Sequence, residues 1–204
     1  MQITFEGGDG AKHPELFNIG KPKFTGNGIS IVGQIKIEDG IASGFSSSSY
    51  IETTLNNASL ANYLELKWYI KYYLTSYIGA RSLLGNTSLR IGIWGTDTYK
   101  DRLDYAINSN FSEGKLQGIS VPNRYNVIVI THNVQNKTYT CELFDDNDNL
   151  ISSNLTPVST PSSYANQNWR IGNGINGGSA TEVLIDLNVT RLEADGEIIS
   201  PWNR

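Results

Sequence analysis

Three carboxylates stand at a spacing of two in Glu193-Ala194-Asp195-Gly196-Glu197. On an extended strand that spacing puts side chains on one face. Two carboxylates about 5 Å apart can then act as nucleophile and acid/base in glycoside cleavage. Asp195-Gly196, however, is also the strongest turn signal in the chain, because both residues tolerate positive φ. A bend there splays the three groups, so the segment is expected to be a hairpin turn rather than a catalytic strand.

Other reactive residue types give weaker patterns. His13 and His132 are the only histidines, and neither adjoins a Ser or Cys in a nucleophile motif. His132, at the end of an apolar run, reads as a surface or sheet-edge residue. Gly7-Gly8-Asp9-Gly10 lacks the Lys-Ser/Thr and the helix of a phosphate loop, and reads as a turn. The oxygen-rich Asp145-Asp146-Asn147-Asp148-Asn149 lacks the glycine and distal glutamate of an EF-hand loop, and Asp97, Asp101 and Asp104 form only a loose group. No metal ligand set and no cofactor is therefore assigned. Cys141 is the single cysteine, which excludes an internal disulfide and a cysteine-based zinc site. The Asn-x-Ser/Thr triplets at Asn57, Asn86, Asn110, Asn136, Asn154 and Asn188 follow from a composition rich in these residues, and Asn188 falls inside an expected strand.

What remains is aromatic. Sugar rings present apolar C–H faces, so glycan sites use Trp or Tyr platforms flanked by hydrogen bonders. Trp94 with Arg90, and Tyr69 with Tyr73, lie on the rows opposite the core rows of their strands, and Trp169 precedes Arg170 in an expected loop. These five residues are the candidate ligand-binding set. No catalytic residue is assigned.

Positioning such side chains falls to strands. The 204 residues include 20 Gly and 6 Pro, a length that suits one domain, residues 1–204. Apolar residues recur at spacing two between stretches of Gly, Asn, Ser and Asp. Leu64, Leu66, Trp68, Ile70 and Tyr72 alternate with Glu65, Lys67, Tyr69, Lys71 and Tyr73, so one row faces a core and the other a wetter side. Residues 88–94 repeat the pattern, and 125–131 are apolar on both faces, as in a central strand. Residues 139–143 turn through 145–149 into Leu150-Ile151, while Val183, Ile185, Leu187 and Val189 alternate with Leu184, Asp186, Asn188 and Thr190. Further strands are expected at 2–5, 29–37, 41–46, 49–54 and 102–107, and a long exposed loop at 154–168. With no crossover helices, the expected class is all-β: a two-sheet antiparallel β-sandwich of jelly-roll type.

A net charge of −4, with 16 basic against 20 acidic side chains and no basic cluster, argues against nucleic acid as a partner. The longest apolar run, Val127 to Ile130, is far below the roughly 20 residues of a membrane helix, so no membrane insertion is expected. The first residues read as a strand rather than a leader.

The order of elements resembles the concanavalin A-like, laminin G-like lectin/glucanase superfamily. The resemblance runs through Gly44-Phe45 to Tyr50-Ile51, the strand carrying Trp68, Ser82 to Gly85, and Leu89 to Trp94. It continues through the paired strands of 125–143, Arg170-Ile171-Gly172 and the strand at 182–192. It implies two curved sheets whose concave face often holds glycan, and does not imply catalysis, because the fold hosts lectins, glucanases, adhesion modules and virion proteins. The Glu-x-Asp-x-Glu spacing is similar to that of the family's glucanases, but their catalytic strand lies inside the sheet, whereas this segment lies near the C-terminus. The family often holds calcium, though no motif here matches it position by position.

The Asn/Ser/Gly-rich loops resemble those of bacteriophage virion components such as fibre, tail or head-decoration proteins. That resemblance implies a virion or extracellular location. Its partners would be a glycan or cell-surface receptor, other virion subunits, and further copies of the chain. The leading expectation is a non-catalytic surface- or glycan-binding sandwich. The alternatives are a glycoside hydrolase or lyase of the same fold and a purely structural subunit.

Overall fold

Alternation at a period of two decides the layers. In a computed structural model, residues 28–75, 81–86, 89–94, 102–107, 123–147, 149–159, 167–173 and 183–199 are described. The first sheet is six-stranded, in the order β1 (Ile29–Val32), β4 (Tyr50–Asn56), β12 (Asn168–Ile171), β6 (Arg81–Gly85), β7 (Leu89–Trp94) and β8 (Arg102–Ile107). The second is eight-stranded, in the order β11 (Leu150–Ser159), β10 (Thr138–Phe144), β9 (Tyr125–Asn133), β5 (Glu65–Leu74), β13 (Val183–Ala194), β3 (Ile41–Ser43) and β2 (Lys36–Glu38). Its eighth strand, β14 (Glu197–Ile198), pairs with β13. Every described strand pair is antiparallel. The one helix among the described residues is α1 (Asn57–Leu60), opened by a capping box between Asn56 and Ser59. The chain is thus an all-β, two-sheet sandwich, as the alternation implied.

The core lies between the sheets. Leu66, Trp68, Ile70 and Tyr72 of β5 point into it with Ile128 and Ile130 of β9, Tyr139, Cys141 and Leu143 of β10, and Ile51, Leu84 and Ile171 of the six-stranded sheet. Leu64 departs from its expected row: it precedes the strand and is 56% exposed. Residues 125–130 are buried on both faces, Ile128 and Ile130 in the core and Val127 and Val129 in a second apolar cluster with Tyr69 and Phe144. Two motifs that carried the family resemblance meet here. Gly172, at a φ of 81°, lies so close under the Phe45 ring that a Cβ would collide with it.

Several boundaries differ from expectation. The stretch at 29–37 is two strands, β1 and β2, split by Gly33 at a φ of 73°. Much of the segment expected to loop, 154–168, belongs to strands: β11 extends to Ser159 and β12 begins at Asn168. Pro157 is tolerated because it falls in the irregular stretch of β11 between the pairings of Asn154 with Cys141 and Val158 with Tyr139, where the ladder has no partner for it. The expected strand at 2–5, His13, Gly7 to Gly10, Asp97, Asp101 and Asn110 lie outside the described residues.

Candidate functional site

Register sorts the five candidate residues into three layers. Tyr69 and Tyr73 sit on the outer face of the eight-stranded sheet, opposite Val129 and Tyr125 of β9. Arg90 and Trp94 belong to β7 in the six-stranded sheet, where the backbone pairs them with Gly85 and Arg102. Their side chains lie outside the described residues. Trp169 is in neither place: it is a strand residue of β12, not a loop residue, and points into the core. Its ring centroid is 5.4 Å from that of Trp68, and it is 2% exposed. A ring so enclosed offers no face to a sugar, so Trp169 is corrected from platform to core. One platform of all five is excluded by the topology.

On the eight-stranded sheet, the row expected to be wet is largely buried. Tyr69, Val127, Val129 and Phe144 form a second apolar cluster on the side away from the core. Charges are built into that surface. Lys71 Nζ lies 3.2 Å from Asp186 Oδ2, with side chains 2% and 3% exposed. Burial holds the Lys71 ammonium below its ordinary pKa, while the Asp186 carboxylate pulls the other way. Arg191 spreads over the Tyr69 ring at 3.7 Å and donates from Nε to Glu193 Oε1 at 2.7 Å. Tyr73 meets Tyr125 edge-on at 5.2 Å, and burial, the Asp186 charge and then Tyr73 push the Tyr125 phenol well above its ordinary value.

Asp186 and Arg191 share that face because β13 bulges. Asp186 pairs with Lys71 and Arg191 with Tyr69, so four residues of β13 stand where β5 has only Ile70. The excess loop is held from several sides: Leu187 N–H donates to Gly40 O, Asn188 N–H to Asp186 Oδ1, and Asn188 Nδ2 to Asp39 O. The Lys71 N–H donates to Thr190 Oγ1 in place of a ladder carbonyl. The bulge reverses the alternation, so Arg191 and Glu193 point outward where a continuous strand would send them to the core.

The Glu193 to Glu197 segment is the expected hairpin turn. Asp195 and Gly196 have φ of 48° and 85°. Glu193 pairs with Ile198 and Ala194 with Glu197, so Glu193 and Glu197 are on opposite faces of the ribbon. They cannot form an acid/base pair. Asp195 instead fastens the start of β5: its Oδ1 accepts from the Leu64 and Glu65 N–H groups at 3.0 and 2.9 Å.

His132 corrects another expectation. It is buried on the core side of β9, stacked on Tyr139 at 4.1 Å, and burial lowers its pKa to about 4. Burial also raises the Cys141 thiol far above its ordinary value, so it behaves as an apolar core group. In the acidic turn Asp145 Oδ1 accepts from the Asn147 and Asn149 N–H groups. Among the described residues no cluster of three or more His, Cys, Asp or Glu converges.

On the other sheet, sequence reasoning missed a half-open set. Arg170 of β12 donates from Nε to Glu52 Oε1 of β4 at 3.1 Å, and its guanidinium lies 4.6 Å from the Tyr50 ring centroid. A cross-strand row runs Ser30, Glu52, Arg170, Gly85, Arg90, Ala106. The signal was a Tyr-x-Glu on one strand and an Arg on another, legible only once β4 and β12 are known to be neighbours.

No protein-family model matches this chain, and no curated protein sequence matches it either. Solved structures do. A lectin, UEA-II complexed with galactose, superposes at a TM-score of 0.53 with 11% identity over 81% of this chain and 92% of its own. Peanut lectin with a nine-residue peptide gives 0.52 at 12% identity, covering 83% and 91%. A GH131 β-glucanase catalytic domain from Podospora anserina gives 0.51 at 11% identity, covering 78% and 74%. At such identities the likeness is one of architecture, and what it establishes is that this chain has a concanavalin A-like lectin/glucanase fold.

Proposed function

We propose that the protein is a non-catalytic carbohydrate-binding β-sandwich, with the half-buried Tyr73 on the outer face of the eight-stranded sheet as its stacking residue; Tyr69, 8% exposed beneath Arg191, is enclosed as Trp169 is and is not part of the platform. The observation that carries the reading is the state of the carboxylates that β13 sends to that face. Asp186 is neutralised by Lys71 and Glu193 by Arg191. Glycoside cleavage needs one carboxyl to give a proton and a second to attack or activate water. Carboxylates bound to fixed cations suit neither task, whereas the half-buried Tyr73 ring, held by the edge of Tyr125, is ready to stack on a sugar. Fold likeness supports the same reading, since two of the similar structures are lectins.

The GH131 catalytic domain among the similar structures keeps a hydrolase as the second reading. A finer placement, as an adhesion or decoration component of a phage virion that meets a cell-surface glycan, extends the proposal. Among the described residues no helix is long and apolar enough to cross a membrane.

A panel of neutral and acidic oligosaccharides, screened by array and then by calorimetry, tests the reading. Binding that weakens at least tenfold in Tyr73→Ala, with no release of reducing ends, supports it. Cleavage of any oligosaccharide, abolished in Glu193→Gln while the protein stays folded, replaces it with the hydrolase. Incorporation into virion particles and loss of their attachment on Tyr73→Ala would support the finer placement.

A further inference from the structure

We infer that the outer face of the six-stranded sheet carries a second site, built on Arg170, for a monoanionic group such as the carboxylate of an acidic saccharide. Only the saccharide part rests on the carbohydrate reading above.

Arginine binds anions well when its planar fork is held in place beforehand, because less rotamer freedom is then lost per hydrogen bond. Arg170 meets that condition. Its Nε is held by Glu52 and its flat face by the Tyr50 ring, which leaves neither the torsion nor the tilt of the guanidinium free. The two Nη groups make no hydrogen bond among the described residues, and the side chain is 28% exposed. Four N–H donors of a fixed fork therefore face a half-open surface, in the geometry that pairs with the two oxygens of a carboxylate.

The surroundings suit an elongated ligand. Gly85, which carries no side chain, is the next residue in the row, and the backbone of Arg90 on β7 follows it. Two strand spacings, roughly 10 Å, separate those two arginine positions. A ring could lie over the glycine with its acidic group on Arg170. Charge selects the kind of anion. The Glu52 carboxylate, 29% exposed and 3.1 Å from Nε, repels a dianion more strongly than a monoanion. That disfavours phosphate monoesters and favours carboxylates and sulfate esters.

The buried counterpart lacks this capacity. Arg191 makes the same contacts, to Glu193 and Tyr69, but its Nη1 already donates to Val189 O and its side chain is 2% exposed.

The test uses the whole chain and three probes: an oligogalacturonate, the corresponding neutral galactose oligomer, and sodium acetate. The Arg170 Nε–H resonance, assigned by its loss in Arg170→Lys, is followed by NMR, with affinities from calorimetry. The expected result is a salt-sensitive shift of that resonance with the oligogalacturonate. Arg170→Gln should weaken its affinity at least tenfold, while the melting temperature and any binding of the neutral oligomer are unchanged. Arg90→Gln should weaken it less. An oligogalacturonate that binds wild type and Arg170→Gln equally overturns the site, even if the neutral oligomer still binds and the carbohydrate reading stands. A shift with acetate but none with the oligogalacturonate overturns the assignment to a saccharide. No shift with any probe overturns the site altogether.

Discussion

The two sheets carry the same three residue types in the same arrangement and put them to different use. On the eight-stranded sheet Arg191 covers Tyr69 and binds Glu193, and on the six-stranded sheet Arg170 covers Tyr50 and binds Glu52. The difference is solvent. Arg191 is sealed, with a further donation to a backbone carbonyl, whereas Arg170 is open on its outer side. A sealed cation must have its charge met by protein groups, so it becomes structural. An open one can exchange water for a ligand.

The largest expected effect breaks the sealed set. Arg191→Gln leaves Glu193 without its cation and Tyr69 without its cover, and removing one partner of a buried pair costs about 3–5 kcal/mol. Urea denaturation followed by intrinsic fluorescence should show a loss of that size. Lys71→Met should behave similarly by stranding Asp186, and replacing both partners, Lys71→Met with Asp186→Leu, should recover much of the loss. A change below about 1 kcal/mol in either single variant would mean that this face is wetter than described.

A second effect concerns the core side, where burial acts on an imidazole. The His132 pKa falls from 6.5 to about 4 on folding. Between those values the unfolded chain binds the proton and the folded chain does not. Its contribution is therefore fully present above pH 6.5, declines as pH falls, and is lost by about pH 4. The shift is equivalent to about 3 kcal/mol. His132→Phe can keep the stack on Tyr139 and should flatten stability over that window relative to wild type. Parallel curves for the two proteins would contradict the buried placement.

These contrasts also mark what the sequence could reveal. The core row of β5 was legible because alternation needs no knowledge of neighbours: Leu66, Trp68, Ile70 and Tyr72 are all in the core. The opposite row was misread as wet, since whether Tyr69 and Lys71 are covered depends on groups far away in the chain. Alternation also fails across an insertion. The strand at 183–190 read as continuous, but the bulge after Asp186 reverses the facing of everything beyond it, which is how Arg191 reaches Tyr69. Trp169 was misplaced because the Ser, Pro and Asn before it signal a loop, while β12 opens at Asn168 and spans only Asn168–Ile171, too short for its alternation to stand out. The turn at Asp195-Gly196 was read correctly because its chemistry is local.

Asp195 is exposed and still has a structural role. It holds two backbone N–H groups at the entry of β5. Asp195→Ala leaves those donors to water, so a loss of about 1 kcal/mol is expected, well below that of Arg191→Gln. Asp195→Asn keeps an acceptor and should lose less. Asp195→Gly separates the hydrogen bonds from the turn's positive φ, because Gly tolerates that conformation and lacks the acceptor: a loss close to that of Asp195→Ala assigns the effect to the hydrogen bonds, and no loss assigns it to the backbone conformation.

The smallest expected effect on stability is at Arg170, and it decides whether the contrast between the two sheets is real. Half-open ion pairs contribute about 0–1 kcal/mol, since water competes for both partners and ordering two long side chains costs entropy. Arg170→Gln should therefore shift the urea midpoint little, while Arg191→Gln shifts it strongly, although each mutation removes an arginine from a tyrosine face and a glutamate. Lowering the ionic strength should strengthen the Arg170–Glu52 pair and leave the Arg191–Glu193 pair nearly unchanged, because only the open pair is screened. If both variants lose about 3 kcal/mol or more, Arg170 is as structural as Arg191, and its fork is not held in reserve for an anion. If neither loses stability, the buried set is not sealed, and burial no longer separates the two.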